Sequence, residues 1–245
     1  MKRLAHYSQH FLRSPRLVKE LIGHSTIKKS DLVYDLGAGS GVVTSALATR
    51  CRQVVAVEVD PRAAQKLQDN MRRFDNVTII PGDIMTIELP TDPYKVFANI
   101  PFHLSSPILR RLIEADHPPQ AIYLIVQKQF ANKLRIGTGR FTGVLGAYMA
   151  PWYTVRVRKR LQKTDFWPYP NVDTVFIELL PRAIPLLARD NMQKYRNFIE
   201  ESFSTPKYFL KLPLDCAGIS SDAKPSQLDE AQWTRLFNEA GRNRY

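Results

Sequence analysis

Cysteines are few in this sequence, and it has no long apolar run. The two cysteines, Cys51 and Cys216, lie far apart without the spacing of metal ligands, which argues against a disulfide scaffold and a zinc site. No stretch of about 18 apolar residues occurs, so no transmembrane helix is expected. Residues 1–16 are basic and lack the apolar core of a signal peptide. These absences predict a reduced, globular, cytoplasmic protein without a metal ion.

Acidic residues are scarce relative to basic ones. The 245 residues contain 35 Lys plus Arg and 23 Asp plus Glu, which leaves a net charge of +12. Hydrophobic residues make up 44% of the chain, enough to bury a core, so a disordered chain is not expected. The positive charge favours a polyanionic partner, but many basic proteins bind no nucleic acid, so charge alone leaves the partner open.

Strand and helix patterns alternate up to about residue 150, which predicts βαβ units around a parallel sheet in an α/β fold. The predicted strands are residues 32–36, 53–59, 76–80, 94–98 and 121–127, and the predicted helices begin at Val42, Pro61, Ser106 and Phe130. Segments 154–161 and 174–180 then predict an antiparallel pair at the sheet edge, and helical patterns follow. We place a domain boundary near residue 181, giving a first domain of residues 1–181 and a helical domain of residues 182–245.

A glycine-rich turn follows the first predicted strand. Gly37, Gly39 and Gly41 come after Asp35, and this spacing lets the backbone turn sharply and approach a ligand closely. Val42 stands where a dinucleotide-binding fingerprint has its third glycine. The spacing is instead similar to the acidic-x-G-x-G-x-G turn of S-adenosylmethionine-dependent methyltransferases. The charge of Asp35 agrees with this, because it would attract the cationic amino end of that cofactor and repel a pyrophosphate.

Two more acids follow the next two predicted strands. Glu58 ends the second strand, where an acid accepts hydrogen bonds from ribose hydroxyls. Asp83 follows the third strand, in Gly82-Asp83-Ile84, where a carboxylate can accept from an adenine amino group. The carboxyl ends of parallel strands meet at one crevice, so the glycine turn and these acids together predict a cofactor site.

The segment Asn99-Ile100-Pro101-Phe102 follows the fourth predicted strand. The amino nitrogen of adenine is a poor nucleophile because its lone pair is delocalised into the ring. Hydrogen bonds from its N–H groups to the Asn99 side-chain oxygen and the Ile100 carbonyl would return electron density to the nitrogen. Pro101 stiffens the loop, and Phe102 offers a flat face for a stacked base. The motif predicts methyl transfer to adenine by orientation and polarisation, without a strong general base.

These segments resemble those of the rRNA adenine N6-methyltransferases. Residues 99–102 are similar to the family's N-[IL]-P-[YF] motif, and Gly82-Asp83-Ile84 to its third motif. Residues 8–12 (SQHFL) resemble its amino-terminal QNF-L segment, and residues 166–173 (FWPYPNVD) its F-x-P-x-P-x-V-[DS] motif. The similarity covers about residues 6–181. It implies a Rossmann-like class I methyltransferase fold with a mostly parallel seven-stranded sheet and a small all-α carboxyl-terminal domain.

The resemblance also implies roles for single residues. Phe166 would form a second wall of the adenine pocket, so the catalytic residues would be Asn99, Ile100, Pro101, Phe102 and Phe166. The residues that would bind S-adenosylmethionine are His10, Leu12, Asp35, Gly37, Gly39, Gly41, Glu58, Asp83, Ile84 and Asn99. His10 departs from the family pattern, which usually has Asn at this position.

Two branches of the family compete. The Erm branch modifies one adenosine of 23S rRNA and confers resistance to macrolide, lincosamide and streptogramin B antibiotics, whereas KsgA-type enzymes dimethylate two adjacent adenosines of 16S rRNA. Ile100, Phe102, residues 126–131 (VQKQFA) and the short carboxyl-terminal domain resemble Erm proteins, while residues 105–107 (SSP) resemble KsgA-type sequences. We favour protein-free or precursor 23S rRNA as the substrate of a monomeric enzyme. A non-catalytic nucleic-acid-binding relative and a DNA adenine methyltransferase stay open as alternatives.

Basic residues are unevenly spread along the chain. Strand alternation over residues 154–161 places Arg156, Arg158 and Arg160 on one face. The candidates for phosphate contacts are Arg110, Arg111, Lys128, Lys133, Arg135, Arg140, Arg156, Arg158 and Arg160. The interleaved aromatic residues Trp152, Tyr153, Trp167 and Tyr169 are candidates either for stacking on unpaired bases or for core packing. Because the target base must leave any stack, a flexible or single-stranded RNA site is expected.

Overall fold

The structure is a computed structural model that describes residues 10–136 and 141–242. Its strands are β1 Phe11–Leu12, β2 Leu32–Leu36, β3 Gln53–Glu58, β4 Val77–Pro81, β5 Lys95–Ala98, β6 Ala121–Gln127, β7 Tyr153–Leu161, β8 Phe166–Trp167 and β9 Thr174–Pro181. Its α-helices are α1 Pro15–Gly23, α2 Val42–Ala48, α3 Pro61–Met71, α4 Ser105–Ile113, α5 Lys128–Leu134, α6 Val144–Met149, α7 Met192–Ser204, α8 Pro206–Phe209 and α9 Glu230–Arg242.

One mixed sheet has the strand order β4-β3-β2-β5-β6-β9-β7. Strands β2 to β6 pair in parallel wherever they are neighbours, and β9 is antiparallel to β6. The central strands are buried on both faces, which explains their continuous runs of Val, Ile and Leu. The prediction of a mostly parallel seven-stranded sheet is confirmed. Its carboxyl-terminal edge brings together the ends of β2, β3 and β5, where the predicted site residues lie.

Local sequence signals explain the helix starts. The Asp60 carboxylate accepts hydrogen bonds from the backbone N–H groups of Arg62 and Ala63, and Pro61 occupies the first turn of α3, as predicted. Ser14 caps α1 in the same way, although α1 was not predicted. The two-stranded pairing of β1 with β8 was not predicted either, because two-residue strands carry no periodic pattern.

Contacts divide the chain into two compact units. The first comprises the residues up to Lys128 together with Arg156–Leu179, and the second comprises Gln129–Val155 and the residues from Leu180 onward. The division after Leu179 lies close to the predicted boundary at residue 181. Residues 129–155, which we predicted in the first domain, cluster with the second unit. The assignment of residues 1–181 and 182–245 as domains stays a prediction.

The second unit is helical in its carboxyl-terminal part. After Pro181 the structure describes helices and no further strand, as predicted. Trp233 is fully buried there, with its ring edge-to-face against Phe198. Gly146 allows α6 to approach α5, because a Cβ atom at this position would lie 2.3 Å from the Lys133 carbonyl oxygen. Among the described residues, no helix is long and apolar enough to cross a membrane.

Candidate active site

The glycine turn after β2 has a backbone that requires glycine. Gly37, Gly39 and Gly41 have φ angles of +77°, +57° and +93°. A Cβ atom at Gly41 would lie 2.7 Å from Leu67 Cδ1, so a side chain there would both strain the backbone and clash with α3. The N–H groups of Gly37 and Ala38 donate to the Val57 carbonyl at 2.9 and 3.0 Å. The turn is therefore fixed to β3 by the chain itself.

Glu58 ends β3 and is buried against this turn. Its Oε2 accepts a hydrogen bond from Gly39 N at 2.7 Å, and its Oε1 accepts one from Asp60 N at 2.9 Å. One carboxylate thus holds both the glycine turn and the start of α3. A carboxylate has about four acceptor positions, so Glu58 retains capacity for ligand hydroxyls.

Asp35 lies beneath the turn rather than on its surface. It is buried, and Thr44 Oγ1 donates to its Oδ2 at 2.6 Å. The pKa of Asp35 is raised to about 7: burial raises it most, the Thr44 hydrogen bond lowers it in part, and the nearby charge of Glu58 adds to the rise. A cationic group placed beside Asp35 would favour the charged carboxylate.

Asp83 and Ile84 follow β4 and meet the turn from the other side. Asp83 is exposed, and its Oδ1 accepts from Met85 N at 2.8 Å. Ile84 is buried, and its Cδ1 would lie 3.8 Å from a Cβ atom built on Gly37. Arg111 of α4 donates to the carbonyl oxygens of Ile84 and Ile87. The segment after β4 is therefore tied to α4, the helix that follows residues 99–102, which we call the reactive motif.

The reactive motif follows β5 and contacts the amino-terminal segment. Asn99 Nδ2 donates to the His10 carbonyl oxygen at 2.8 Å, and within residues 10–136 and 141–242 Asn99 Oδ1 has no hydrogen-bond partner. The ring of Phe102 lies 5.4 Å from that of His10, with an interplanar angle of 30°. His10 Nδ1 donates to the Pro168 carbonyl at 2.8 Å. His10 thus connects the reactive motif with the segment after β8.

The β1–β8 ribbon closes the site. Phe11 pairs with Trp167 and Leu12 with Phe166. The ring of Phe11 covers the glycine turn, since a Cβ atom at Gly39 would lie 3.1 Å from Phe11 Cε1. Leu12 and Phe166 are buried, so neither offers an open face. The role of Phe166 as a wall of the adenine pocket stays a prediction.

The predicted RNA contacts fall into different environments. Arg110 forms an ion pair with Glu114 at 3.4 Å, and Lys128 forms one with Asp173 at 3.1 Å. Arg111 is used within the protein, as described above, so a phosphate contact by Arg111 would compete with its hydrogen bonds to two carbonyls. Lys133 and Arg135 belong to the second unit, and Arg140 lies outside the described residues.

Strand β7 shows the alternation that we predicted. Arg156, Arg158 and Arg160 are exposed, whereas the residues between them are half-buried. Arg158 lies 3.6 Å from the buried carboxylate of Glu178, so it has an internal partner. The aromatic candidates separate as well: Trp152 and Tyr153 are buried, whereas Trp167 and Tyr169 are exposed.

The site residues fit S-adenosylmethionine. The glycine turn has a backbone that favours glycine at three positions, and acids lie at or just after the carboxyl ends of the neighbouring strands β2, β3 and β4. These carboxylates match the amino group, the ribose hydroxyls and the adenine amine of this cofactor. Sequence reasoning found these acids but missed Phe11 above Gly39, the Arg111 hydrogen bonds and the His10–Pro168 contact. The sequence carries no local signal for these three contacts, which join residues distant along the chain.

The fold and the site define a class I, S-adenosylmethionine-dependent methyltransferase. The chain belongs to the ribosomal RNA adenine dimethylase family, whose profile matches residues 2–215. It is therefore an rRNA adenine methyltransferase that uses S-adenosylmethionine.

Individual relatives come from both branches of the family. The ribosomal RNA small subunit methyltransferase A of Latilactobacillus sakei subsp. sakei is 30% identical, over 93% of this chain and 86% of the relative. That of Streptococcus pneumoniae serotype 2 is 28% identical, over 94% and 89%. The crystal structure of the 23S rRNA methyltransferase ErmE superposes with a TM-score of 0.81 at 27% identity, covering 94% of this chain and 99% of the crystallised chain. A dimethyladenosine transferase from Plasmodium falciparum has the same fold, with a TM-score of 0.78 and 21% identity.

Proposed function

We propose that this enzyme methylates N6 of a specific adenosine in 23S rRNA and thereby confers resistance to macrolide, lincosamide and streptogramin B antibiotics. The observation that carries the choice of subunit is the structural similarity to the 23S rRNA methyltransferase ErmE, with a TM-score of 0.81 and 27% identity over 94% of this chain. Ile100, Phe102 and residues 126–131 support the same choice.

We infer the roles of the site residues from their positions and their chemistry. The bound cofactor supplies an electrophilic methyl group. We assign Glu58 and Asp83 to the ribose and adenine of the cofactor, Asp35 to its amino end, and the glycine turn to close backbone approach. Asn99 Oδ1 and the Ile100 carbonyl accept from the target amino group, and Phe102 stacks on the target base. The hydrogen bond from Asn99 Nδ2 to His10 orients this amide, so its oxygen is held in place before the base arrives.

A second candidate is a 16S rRNA adenine dimethyltransferase that acts in the cytoplasm on the small subunit. It is favoured by the relatives at 30% and 28% identity, which are small-subunit enzymes. In either case we expect a cytoplasmic enzyme that acts as a monomer.

Methylation assays distinguish the two substrates. Purified protein is incubated with labelled S-adenosylmethionine and either protein-free 23S rRNA or small-subunit particles, and the modified nucleotide is located by mass spectrometry of RNA fragments. We expect one labelled adenosine in 23S rRNA, and cells that express the gene should tolerate a macrolide better than cells that express Asn99→Ala. Label confined to 16S rRNA, with unchanged macrolide sensitivity, would establish the second candidate instead.

A further inference from the structure

Two exposed aromatic rings lie on the segment that follows β8. The side chains of Trp167 and Tyr169 are 61% and 50% exposed, whereas the other two tryptophans, Trp152 and Trp233, are 3% and 0% exposed. We call Trp167 and Tyr169 the aromatic shelf. Two large rings exposed side by side form an aromatic patch, and such patches are common where proteins bind ligands.

Neighbouring groups support the aromatic shelf despite its exposure. The Trp167 and Tyr169 rings meet edge-to-face at 5.7 Å with an angle of 87°. The Arg13 guanidinium lies 5.9 Å from the centre of the Trp167 ring, and backbone pairing of Trp167 with Phe11 fixes the strand beneath. A preorganised aromatic surface binds with a smaller loss of conformational entropy than a mobile one.

The aromatic shelf is connected directly to the reactive motif. Pro168, between the two shelf residues, accepts the hydrogen bond from His10 Nδ1. The ring of the same His10 lies against Phe102, and its carbonyl holds the Asn99 amide. A nucleic acid strand whose target base reaches Phe102 therefore passes close to Trp167 and Tyr169.

The charges near the shelf suit an RNA strand. Arg13 lies beside Trp167, and Lys163 donates to the Asn171 carbonyl at 3.4 Å, just beyond Tyr169. The nearby acids are already bonded: Asp165 accepts from Gln162 N at 2.7 Å, and Asp173 pairs with Lys128. Positive groups beside flat rings are the combination that binds the backbone and bases of unpaired nucleic acid.

We propose that the aromatic shelf stacks the base of an unpaired nucleotide next to the target adenosine. This inference rests on the proposed rRNA adenine methylation and adds a subsite to it. When the target base leaves its stack, its neighbour loses a stacking partner, and the shelf replaces that partner. Stacking on an aromatic side chain contributes about 1–3 kcal/mol per base, which corresponds to about a 5- to 150-fold change in affinity.

Tryptophan fluorescence tests this proposal directly. Because Trp167 is the exposed tryptophan and Trp152 and Trp233 are buried, a base that stacks on the shelf should quench mainly the Trp167 emission. The probe is a short RNA stem–loop with an unpaired adenosine-containing loop, and we expect it to quench the emission. A fully paired RNA duplex and a sulfated polysaccharide without bases should bind by charge without that quenching. Equal quenching by all three would overturn the proposal.

Substitutions at Trp167 separate stacking from other roles. Trp167→Leu keeps an apolar side chain without a π-face and should weaken stem–loop binding and raise KM for RNA about 5- to 50-fold. Trp167→Phe keeps a stacking ring and should restore most of the affinity. Both variants should bind S-adenosylmethionine like the parent chain, which shows that they are folded. An RNA affinity of Trp167→Leu equal to that of the parent chain would overturn the proposal. A dimer of the parent chain that dissociates in Trp167→Leu would also overturn it, because the shelf would then mediate self-association.

The failure of this inference differs from a failure of the proposed function. If Trp167→Leu methylates 23S rRNA with the KM of the parent chain, the proposed function stands and the shelf subsite is refuted. A chain that labels no 23S rRNA lacks the proposed function, whatever its fluorescence.

Discussion

The cofactor side and the base side of this site are built in contrasting ways. On the cofactor side, Glu58 and Asp35 are buried and bonded to the glycine turn and to Thr44, so the chain holds its own ligand groups in place. On the base side, Phe102 is half-buried and the nearby rings of Trp167 and Tyr169 face solvent. A small cofactor of constant shape suits a preformed site, whereas a large folded RNA suits an open one that it completes on binding.

We expect the largest effect for substitution of Asn99, which acts on the base side of the site. Asn99→Ala removes the oxygen that polarises the target amine and the hydrogen bond to His10, so we expect kcat for methyl transfer to fall about 100- to 1000-fold. The measurement is single-turnover transfer from labelled cofactor. Cofactor affinity, measured by calorimetry, should change much less than kcat. Equal losses in both would show that Asn99 belongs mainly to the cofactor side.

Glu58 tests the cofactor side alone. Glu58→Gln replaces one acceptor by an amide donor that faces an N–H group, so the glycine turn loses a charge-assisted hydrogen bond. We expect S-adenosylmethionine to bind about 10- to 100-fold more weakly, since such hydrogen bonds contribute about 1.5–3 kcal/mol. RNA affinity should stay at the parental value. Glu88→Gln, at an exposed acid, is the matched control, and an equal loss there would exclude a specific role for Glu58.

Arg156 and Arg160 test the base side through its charge. Both are exposed on β7, and neutralising them as Arg156→Gln/Arg160→Gln should weaken RNA binding and reduce the slope of log K against log salt by about 1.5. Arg158 is a poorer choice because its removal would leave the buried Glu178 without its partner. Filter binding over a salt series gives both quantities. The double variant Arg62→Gln/Lys66→Gln, on α3, removes the same charge elsewhere in the first unit; a matching fall in slope there would refute a β7 contact.

Asp35 tests the cofactor side through stability rather than activity, and its effect appears in the pH dependence of unfolding. Its pKa in the folded chain is raised to about 7, against about 3.9 in an unfolded chain, so the folded state holds more protons between these values. The free energy of unfolding should therefore fall as pH rises from about 4 to 7, and Asp35→Asn should flatten this decline. Urea unfolding at a series of pH values measures it. The exposed Asp92→Asn should keep the parental slope; if Asp35→Asn keeps it too, the buried carboxyl is not its source.

The regular part of the fold could be predicted from sequence. β2 and β6 have the predicted bounds, and the other central strands start or end within a residue or so of them, because buried parallel strands carry continuous apolar runs. The glycine turn was also predictable, since three alternating glycines between a strand and a helix have few other structural explanations. The acids followed from the rule that strand ends meet at one edge of the sheet.

Contacts between distant segments could not be predicted. Arg111 was expected to face RNA, yet it bonds to two carbonyls of the segment after β4, because its position on α4 brings it within reach of them. Trp152 and Trp167 are the same residue type in similar aromatic segments, and only the fold shows that the first is buried and the second exposed. Such differences depend on tertiary packing, which local patterns do not record.

The link between His10 and Pro168 also bears on how the protein is made. These residues are 158 positions apart, so forming the contact closes a long loop, and contacts of high sequence separation are typical of slowly folding chains. During synthesis the glycine turn and its strands can assemble early, but the reactive motif gains its His10 support only after residue 168 has left the ribosome. The nascent chain therefore has the elements of its cofactor site before its catalytic edge is complete.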